Sequence, residues 1–162
     1  MDGKNTPKFT DNDAVASSSI ALSRPWGWQL IVDCFGCSET VCRDLDNAYE
    51  FLDKGCDFLG MTKQSQPYVF KTCERAYPGK PGLSGWVAII ESAIQIHTSA
   101  YNAFVSIDIY SCKEFDKREV ELLVERWFKP AFMETVLIQR GRDFNTRVAR
   151  TRVSAPEGIT CH

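Results

Sequence analysis

The 162-residue chain lacks several features that would place it at once in a large functional class. It has no excess of basic residues, since 19 Lys and Arg stand against 21 Asp and Glu for a net charge of -2. Proteins that neutralise nucleic-acid phosphates are normally basic. The longest uninterrupted apolar run covers only residues 86–90, which is too short to cross a bilayer. Neither nucleic acid nor a membrane is therefore expected as a partner.

Short functional motifs are also scarce. The sequence contains no GxGxxG and no P-loop, so nothing indicates a loop that cradles nucleotide phosphates. Histidine occurs only at His97 and at the last position, His162, so any imidazole chemistry rests on His97. The first ten residues are polar and have no apolar segment typical of a secretory signal, from which we expect a cytoplasmic protein.

Cysteine is plentiful but does not form a recognisable framework. An odd number of cysteines, in a protein expected in a reducing compartment, favours free thiols over disulfides. Cys34 and Cys37 form a CxxC pair, yet zinc would need two more ligands, and no second pair or neighbouring histidine exists. A redox pair usually lies at a helix N-terminus, and here the pair follows a predicted strand. We therefore expect buried thiols and no metal. The seven cysteines are Cys34, Cys37, Cys42, Cys56, Cys73, Cys112 and Cys161.

The composition, with 44% hydrophobic residues, is enough to build a core. Apolar residues at helical spacing predict one helix from Leu45 to Leu59 and another that is capped by Asp116 and ends near Pro130. The predicted strands cover residues 29–34, 66–73, 86–96, 103–112 and 135–139. The order β-α-β-β-β-α-β, with short connections, predicts an α+β two-layer sandwich: an antiparallel sheet with two helices on one face.

This folded domain is predicted to span residues 26–141. Residues 1–25 have no periodicity and predict a flexible leader. Residues 142–162 predict a polar tail, and its arginines indicate a solvated segment more than a nucleic-acid arm, because the chain as a whole is acidic.

Four short motifs then stand in a specific order: Gly82-Leu83-Ser84-Gly85, Glu91-Ser92, His97-Thr98 and Asp108-Ile109-Tyr110-Ser111-Cys112. Together they resemble the small prokaryotic S-adenosylmethionine decarboxylases, which are pyruvoyl enzymes of polyamine biosynthesis. The similarity extends upstream to residues 29–37 and downstream to Arg140-Gly141, and it covers about residues 28–141.

The resemblance implies a proenzyme, or zymogen, that cleaves its own backbone between Glu91 and Ser92. The Ser92 hydroxyl would attack the preceding carbonyl, and elimination and hydrolysis would leave a pyruvoyl group at position 92, so that neither metal nor pyridoxal phosphate is needed. His97 corresponds to the processing base, Ser84 to the assisting hydroxyl and Cys112 to the proton donor. The ketone would form a Schiff base with the substrate amine and accept electrons as CO₂ leaves.

The family also implies a homodimer, or a dimer of cleaved two-chain protomers, with active sites between protomers.

Ser92 and His97 are five residues apart, so a regular strand would direct them to opposite faces. We therefore expect a bulge or turn between them. The simpler alternatives are an ordinary strand serine at position 92 and a buried thiol at Cys112.

Departures from the family pattern concern the substrate. Ala93 replaces the usual histidine, and Ser99, Ala100 and Tyr101 replace the usual Trp-Pro-Glu, whose glutamate holds the ribose hydroxyls. A diol without an acceptor would be poorly recognised. We therefore expect a smaller amino acid, L-ornithine or L-arginine, as substrate. The candidate substrate-binding residues are Asp108, Asp33 and Tyr101.

Three alternatives remain open at this point. The first is a genuine S-adenosylmethionine decarboxylase with ribose contacts rebuilt elsewhere. The second is a catalytically silent paralogue that regulates an active partner. The third is a thiol or metal-binding domain that uses Cys34 and Cys37.

Overall fold

The computed structural model describes residues 24–144 and 147–148. Most of the predicted leader and most of the predicted tail lie outside these residues, so those two predictions stay untested. The elements are β1 (Gly27–Phe35), α1 (Glu39–Arg43), α2 (Leu45–Phe58), β2 (Tyr68–Lys71), β3 (Leu83–Ile89), β4 (Ser92–Ser99), β5 (Phe104–Ser111), α3 (Lys117–Phe128) and β6 (Phe132–Arg140).

The strands form one six-stranded sheet in the order β2-β3-β4-β5-β1-β6, and every adjacent pair is antiparallel. Side chains on one sheet face join those of the helices in a single buried cluster. The α+β two-layer prediction is confirmed. The other face of the sheet, which we call the outer face, carries alternate residues of each strand and has no helix packed on it in the described part of the chain.

The two long helices begin where their capping residues indicate. The Asp44 carboxylate accepts a hydrogen bond from the Asn47 amide at 3.0 Å, and the Asp116 carboxylate caps α3 in the same way. Their apolar stripes meet above the sheet, where Phe51 and Phe128 pack edge to face at a centroid distance of 4.9 Å. Full burial of each such ring contributes about 1.5–3 kcal/mol to folding.

Helix α3 is tied to the edge strand β6 through Glu121, which accepts a hydrogen bond from the Thr135 hydroxyl at 3.0 Å. Partial burial alone would raise the pKa of Glu121. Hydrogen bonds from Arg118 and Thr135 and the charge of Lys117 outweigh that effect and hold the pKa below its ordinary value.

Two details of the predicted strands are wrong. Residues 86–96 do not form a single strand, because β3 and β4 form a hairpin that turns at Ile90 and Glu91. The alternation of buried and exposed residues runs on either side of this turn, and no glycine or proline marks it. In addition, β3 begins at Leu83, before the predicted start at residue 86, so that it includes Ser84.

The CxxC pair precedes a helix, contrary to expectation. Ser38 caps α1, a five-residue helix that is too short to leave a periodic signal in the sequence. Cys34, Cys37, Cys42 and Cys56 are buried free thiols, as predicted. A hydrogen bond between the Cys34 and Cys37 side chains raises the pKa of Cys34 and lowers that of Cys37.

Two surveys of the described residues concern metals and membranes. Within these residues, no group of three or more His, Cys, Asp or Glu side chains is arranged to hold a metal ion. No helix among them has the length and apolar character needed to span a membrane.

Candidate active site

The outer face brings chemistry-bearing residues from five strands into one cross-strand row. Following the register from β3 to β6, the row contains Ser84, His97, Ser106, Asp33 and Glu134. Asp33 therefore lies two strands away from His97 and opposite another carboxylate. This row is a product of strand pairing and is invisible in the linear order of the residues.

Ser84 and His97 form a direct contact, with 2.9 Å between Ser84 Oγ and His97 Nδ1. When Nδ1–H donates to the hydroxyl oxygen, the neutral imidazole presents Nε2 as a proton acceptor. Both side chains line a cavity of about 270 Å³ on the outer face, together with Trp86, Gln95 and Asp108. The structure thus places an imidazole that is oriented by a hydroxyl beside an open cavity.

The Glu91–Ser92 peptide lies at the β3–β4 turn and has unusual geometry. Ser92 has a φ of 147°, a region that is almost confined to glycine and costs about 1–3 kcal/mol for other residues. The amide of Cys112, immediately after β5, donates a hydrogen bond to the Glu91 carbonyl oxygen at 3.0 Å. Such a contact polarises the carbonyl and would stabilise negative charge on its oxygen. The Cys112 thiol is free and its residue is exposed, so the alternative of a buried thiol at this position is wrong.

These residues therefore form two separate groups, which we name the cleavage cluster (Glu91, Ser92 and Cys112) and the imidazole cluster (Ser84 and His97). The register of β4 with β5 runs without interruption from Ser92 to Ser99, so the expected bulge or turn between Ser92 and His97 is absent. Five residues of regular strand separate the two Cα atoms by about 16 Å. Within one chain, the imidazole does not reach the Ser92 hydroxyl.

Asp108 lies between the two clusters on the outer face. Its carboxylate accepts hydrogen bonds from Gln95 at 2.8 Å and from Gln29 at 3.2 Å, and Gln29 in turn accepts one from Arg140. A second cavity, of about 310 Å³, borders Ser92, Gln29, Gln95 and Asp108. Asp108 and Gln95 also line the first cavity, so this fixed carboxylate joins the two.

The sequence analysis did not identify Gln29 and Gln95 as site residues. Strand alternation gives a signal for Gln95, because it lies two residues before His97 in β4 and therefore on the same face. Tyr101 is placed differently from Asp108: it lies on the turn after β4, is 71% exposed and lines neither of these two cavities.

Comparison with known proteins shows the family of this chain. The family model described as S-adenosylmethionine decarboxylase matches residues 28–141. An S-adenosylmethionine decarboxylase proenzyme from Clostridium botulinum (strain Loch Maree / Type A3) is 31% identical over 114 residues, which is 68% of this chain and 92% of that protein. A proenzyme of the same name from Pyrococcus abyssi is 28% identical over 117 residues, or 71% of this chain and 78% of that protein.

A solved structure shares the fold. The adenosylmethionine decarboxylase from Aquifex aeolicus VF5 superposes with a TM-score of 0.61 at 17% identity, covering 86% of this chain and 100% of that one. The resemblance carried by the four motifs is thus confirmed over the same residues. The chain belongs to the S-adenosylmethionine decarboxylase family.

Proposed function

We propose that this chain is a pyruvoyl-dependent decarboxylase that makes its reactive group by cleaving itself between Glu91 and Ser92. The observation that carries the proposal is the strained Ser92 backbone, which follows directly on a carbonyl held by the Cys112 amide. A strained peptide next to a hydroxyl nucleophile and a hydrogen-bond donor has the parts that an acyl shift needs.

The proposed self-cleavage balances as follows. Ser92 Oγ bonds to the Glu91 carbonyl carbon, the C–N bond breaks, and the hydroxyl proton ends on the freed amine, which leaves an ester. A base then removes the Ser92 α-proton, the Cβ–Oγ bond of residue 92 breaks, and Glu91 leaves with its main-chain carbonyl as the new C-terminal carboxylate. The resulting dehydroalanine takes up one water and releases one ammonia to give the pyruvoyl group.

The pyruvoyl ketone would supply the electron sink for loss of CO₂ from the substrate. The chain's own residues fit such a group at position 92. A cavity borders Ser92, and Cys112, whose amide contacts the Glu91 carbonyl, carries a free, exposed thiol that could supply a proton to the substrate carbon. Asp108 offers a negative charge for a cationic substrate.

The base is proposed to come from a second copy of the chain. Because Ser92 and His97 are about 16 Å apart along one strand, a single chain cannot complete the site. Two sheets stacked face to face lie about 10 Å apart, a gap that side chains from both sides can fill. A two-fold axis lying between the two sheets and crossing β4 near Gln95 would bring each His97 to the partner's cavity that borders Ser92.

The outer face carries apolar side chains suited to such burial. Phe35 packs with Phe104 and Phe132 at one end of the face, at centroid distances of 5.2 and 5.9 Å. Trp86 stacks with Tyr68 at 5.6 Å near the other end. Phe35, Phe132, Trp86 and Tyr68 are all more than a third exposed in the single chain. A homodimer through this face would remove these rings from water.

S-adenosylmethionine is the first candidate substrate, because both sequence relatives named above are S-adenosylmethionine decarboxylase proenzymes. The expectation of L-ornithine or L-arginine becomes the second candidate. It is favoured by the turn after β4, where Ser99, buried Ala100 and exposed Tyr101 offer no carboxylate for a ribose diol. Asp108 would pair with a sulfonium or with a distal ammonium or guanidinium group alike.

Denaturing mass spectrometry of the purified chain over time tests the proposal. Cleavage predicts one fragment that ends at Glu91 and one that begins with a pyruvoyl group, whereas the Ser92→Ala chain stays intact. Release of ¹⁴CO₂ from carboxyl-labelled S-adenosylmethionine, L-ornithine and L-arginine then identifies the substrate. A wild-type chain that stays uncut on long incubation would refute the enzyme and support the silent paralogue.

A further inference from the structure

The loop before β2 holds the scissile turn from outside. The Thr62 amide donates a hydrogen bond to Glu91 Oε2 at 3.0 Å, and the Thr62 carbonyl accepts one from the Ile90 amide at 2.8 Å. Next to it, Lys63 forms a β-bridge with Ile89. We call residues 62–65 the clamp loop. It contacts three consecutive residues, the last of which contributes the carbonyl of the scissile bond.

The clamp loop is itself anchored at both ends. Lys63 Nζ lies 2.8 Å from Asp53 Oδ1 and 3.4 Å from Asp57 Oδ2, both on α2. Ser65 Oγ accepts a hydrogen bond from the Ala88 amide at 3.2 Å, and the Ala88 carbonyl accepts one from the Gln64 amide at 2.8 Å. The loop therefore joins the β3–β4 hairpin to the helical layer.

Such anchoring matters because of the strain at Ser92. A residue persists in a costly backbone conformation only where its surroundings leave it no cheaper one. Ser92 itself is fixed by strand pairing with Ser111. On the N-terminal side of Ser92, the Glu91 carbonyl is held by the Cys112 amide and the Glu91 side chain by the Thr62 amide. Releasing the side-chain contact would let the turn rotate and relax the strain.

We propose that the Glu91 carboxylate, held by the Thr62 amide, is a positioning group for self-cleavage. It keeps the Glu91 carbonyl within reach of Ser92 Oγ and takes no part in the bonds that form or break. This role rests on the proposed function, because it presupposes the acyl shift from nitrogen to oxygen. Any residue at position 91 would supply the peptide carbonyl, so this role is specific to the glutamate side chain.

The test compares the cleavage rates of Glu91→Ala and Glu91→Gln with that of the wild-type chain. The alanine variant loses the acceptor and should be cleaved about tenfold more slowly, whereas glutamine keeps an amide oxygen for Thr62 and should stay within about threefold of wild type. Asp44→Ala is the matched control. It also removes a carboxylate that accepts one backbone amide at 3.0 Å, but at the start of α2. It should lower the melting temperature and leave the cleavage rate unchanged.

Each outcome is decisive. Cleavage of Glu91→Ala at the wild-type rate overturns the role, and so does a Glu91→Gln chain that is as slow as the alanine variant, since glutamine retains the acceptor. If Glu91→Ala does not fold, Lys63→Met decides. It leaves Glu91 in place but frees the clamp loop from α2, and an unchanged rate in that variant overturns the role. An uncut wild-type chain refutes the proposed function itself.

Discussion

Replacing Ser92 with glycine should make the uncleaved chain more stable than replacing it with alanine. Both variants lack the hydroxyl and stay intact, so their folding can be compared directly. In an ordinary strand glycine is less stable than alanine by about 0.5–1 kcal/mol, because it loses more backbone entropy on folding. At a φ of 147° the order reverses, since alanine carries a strain of about 1–3 kcal/mol that glycine avoids. The net expectation is about 1 kcal/mol in favour of glycine, or about 4 °C in melting temperature.

Urea unfolding followed by circular dichroism, at equal protein concentrations, measures the difference. Ala93→Gly in the Ser92→Ala background serves as the control, because Ala93 is the next residue of β4 and is not among the residues with positive φ. There glycine should destabilise by about 0.5–1 kcal/mol. If glycine destabilises equally at both positions, the peptide before cleavage is unstrained and the reasoning about the scissile turn fails.

Four further predictions concern the site and the fold. Co-expressing Ser92→Ala and His97→Ala chains should restore cleavage of the His97→Ala chain, seen by mass spectrometry; no restoration would place the base within one chain. Phe35→Glu should weaken the homodimer about tenfold or more in analytical ultracentrifugation, and an unchanged sedimentation profile would exclude this face as the interface. Cys112→Ala keeps the backbone amide, so self-cleavage should continue while CO₂ release falls about 100-fold; equal loss of both would contradict the separate roles of amide and thiol. Glu121→Gln should destabilise the chain at pH 7, because a lowered carboxyl pKa stabilises above the ordinary value of 4.5 and loses that effect as the pH falls through the folded value. Urea unfolding at pH 7 and pH 3 should show the difference shrinking, and a constant difference would refute the electrostatic account.

Local signals in the sequence were enough to predict the two long helices and the layer arrangement, but not α1. Asp44 and Asp116 cap α2 and α3, and the apolar stripes of both helices face the sheet. Such features depend on residues within a few positions of each other, so periodicity captures them. The turn at Ile90 escaped prediction because its stability comes from the clamp loop, more than 20 residues upstream, and not from turn-forming residues.

The candidate site, too, could be predicted from the sequence only in part. Four motifs pointed to the residues, yet their spacing along the chain could not show that Ser84 faces His97, because that contact depends on the β3–β4 register. The expected bulge is absent, because β4 pairs with β5 without interruption from Ser92 to Ser99. The spacing of five residues along a regular strand keeps the Ser92 and His97 Cα atoms about 16 Å apart, and no local sequence signal shows which residues of another chain lie opposite them.

The strain at Ser92 would also give the proposed self-cleavage a direction. Once the Glu91–Ser92 bond is broken, position 92 begins a new chain and no longer has a φ to be constrained, so the strain is lost with the bond that stored it. The contacts on either side do not depend on that bond: the clamp loop binds Ile90 and Glu91, and β4 pairs with β5. In the proposed reaction, the fold would therefore favour the cleaved state by about the strain energy, 1–3 kcal/mol, while both new ends would stay in place. Such a site would become active without refolding. The proposed pyruvoyl group requires this, because it is made from the backbone at position 92 and must stay at the edge of the cavity.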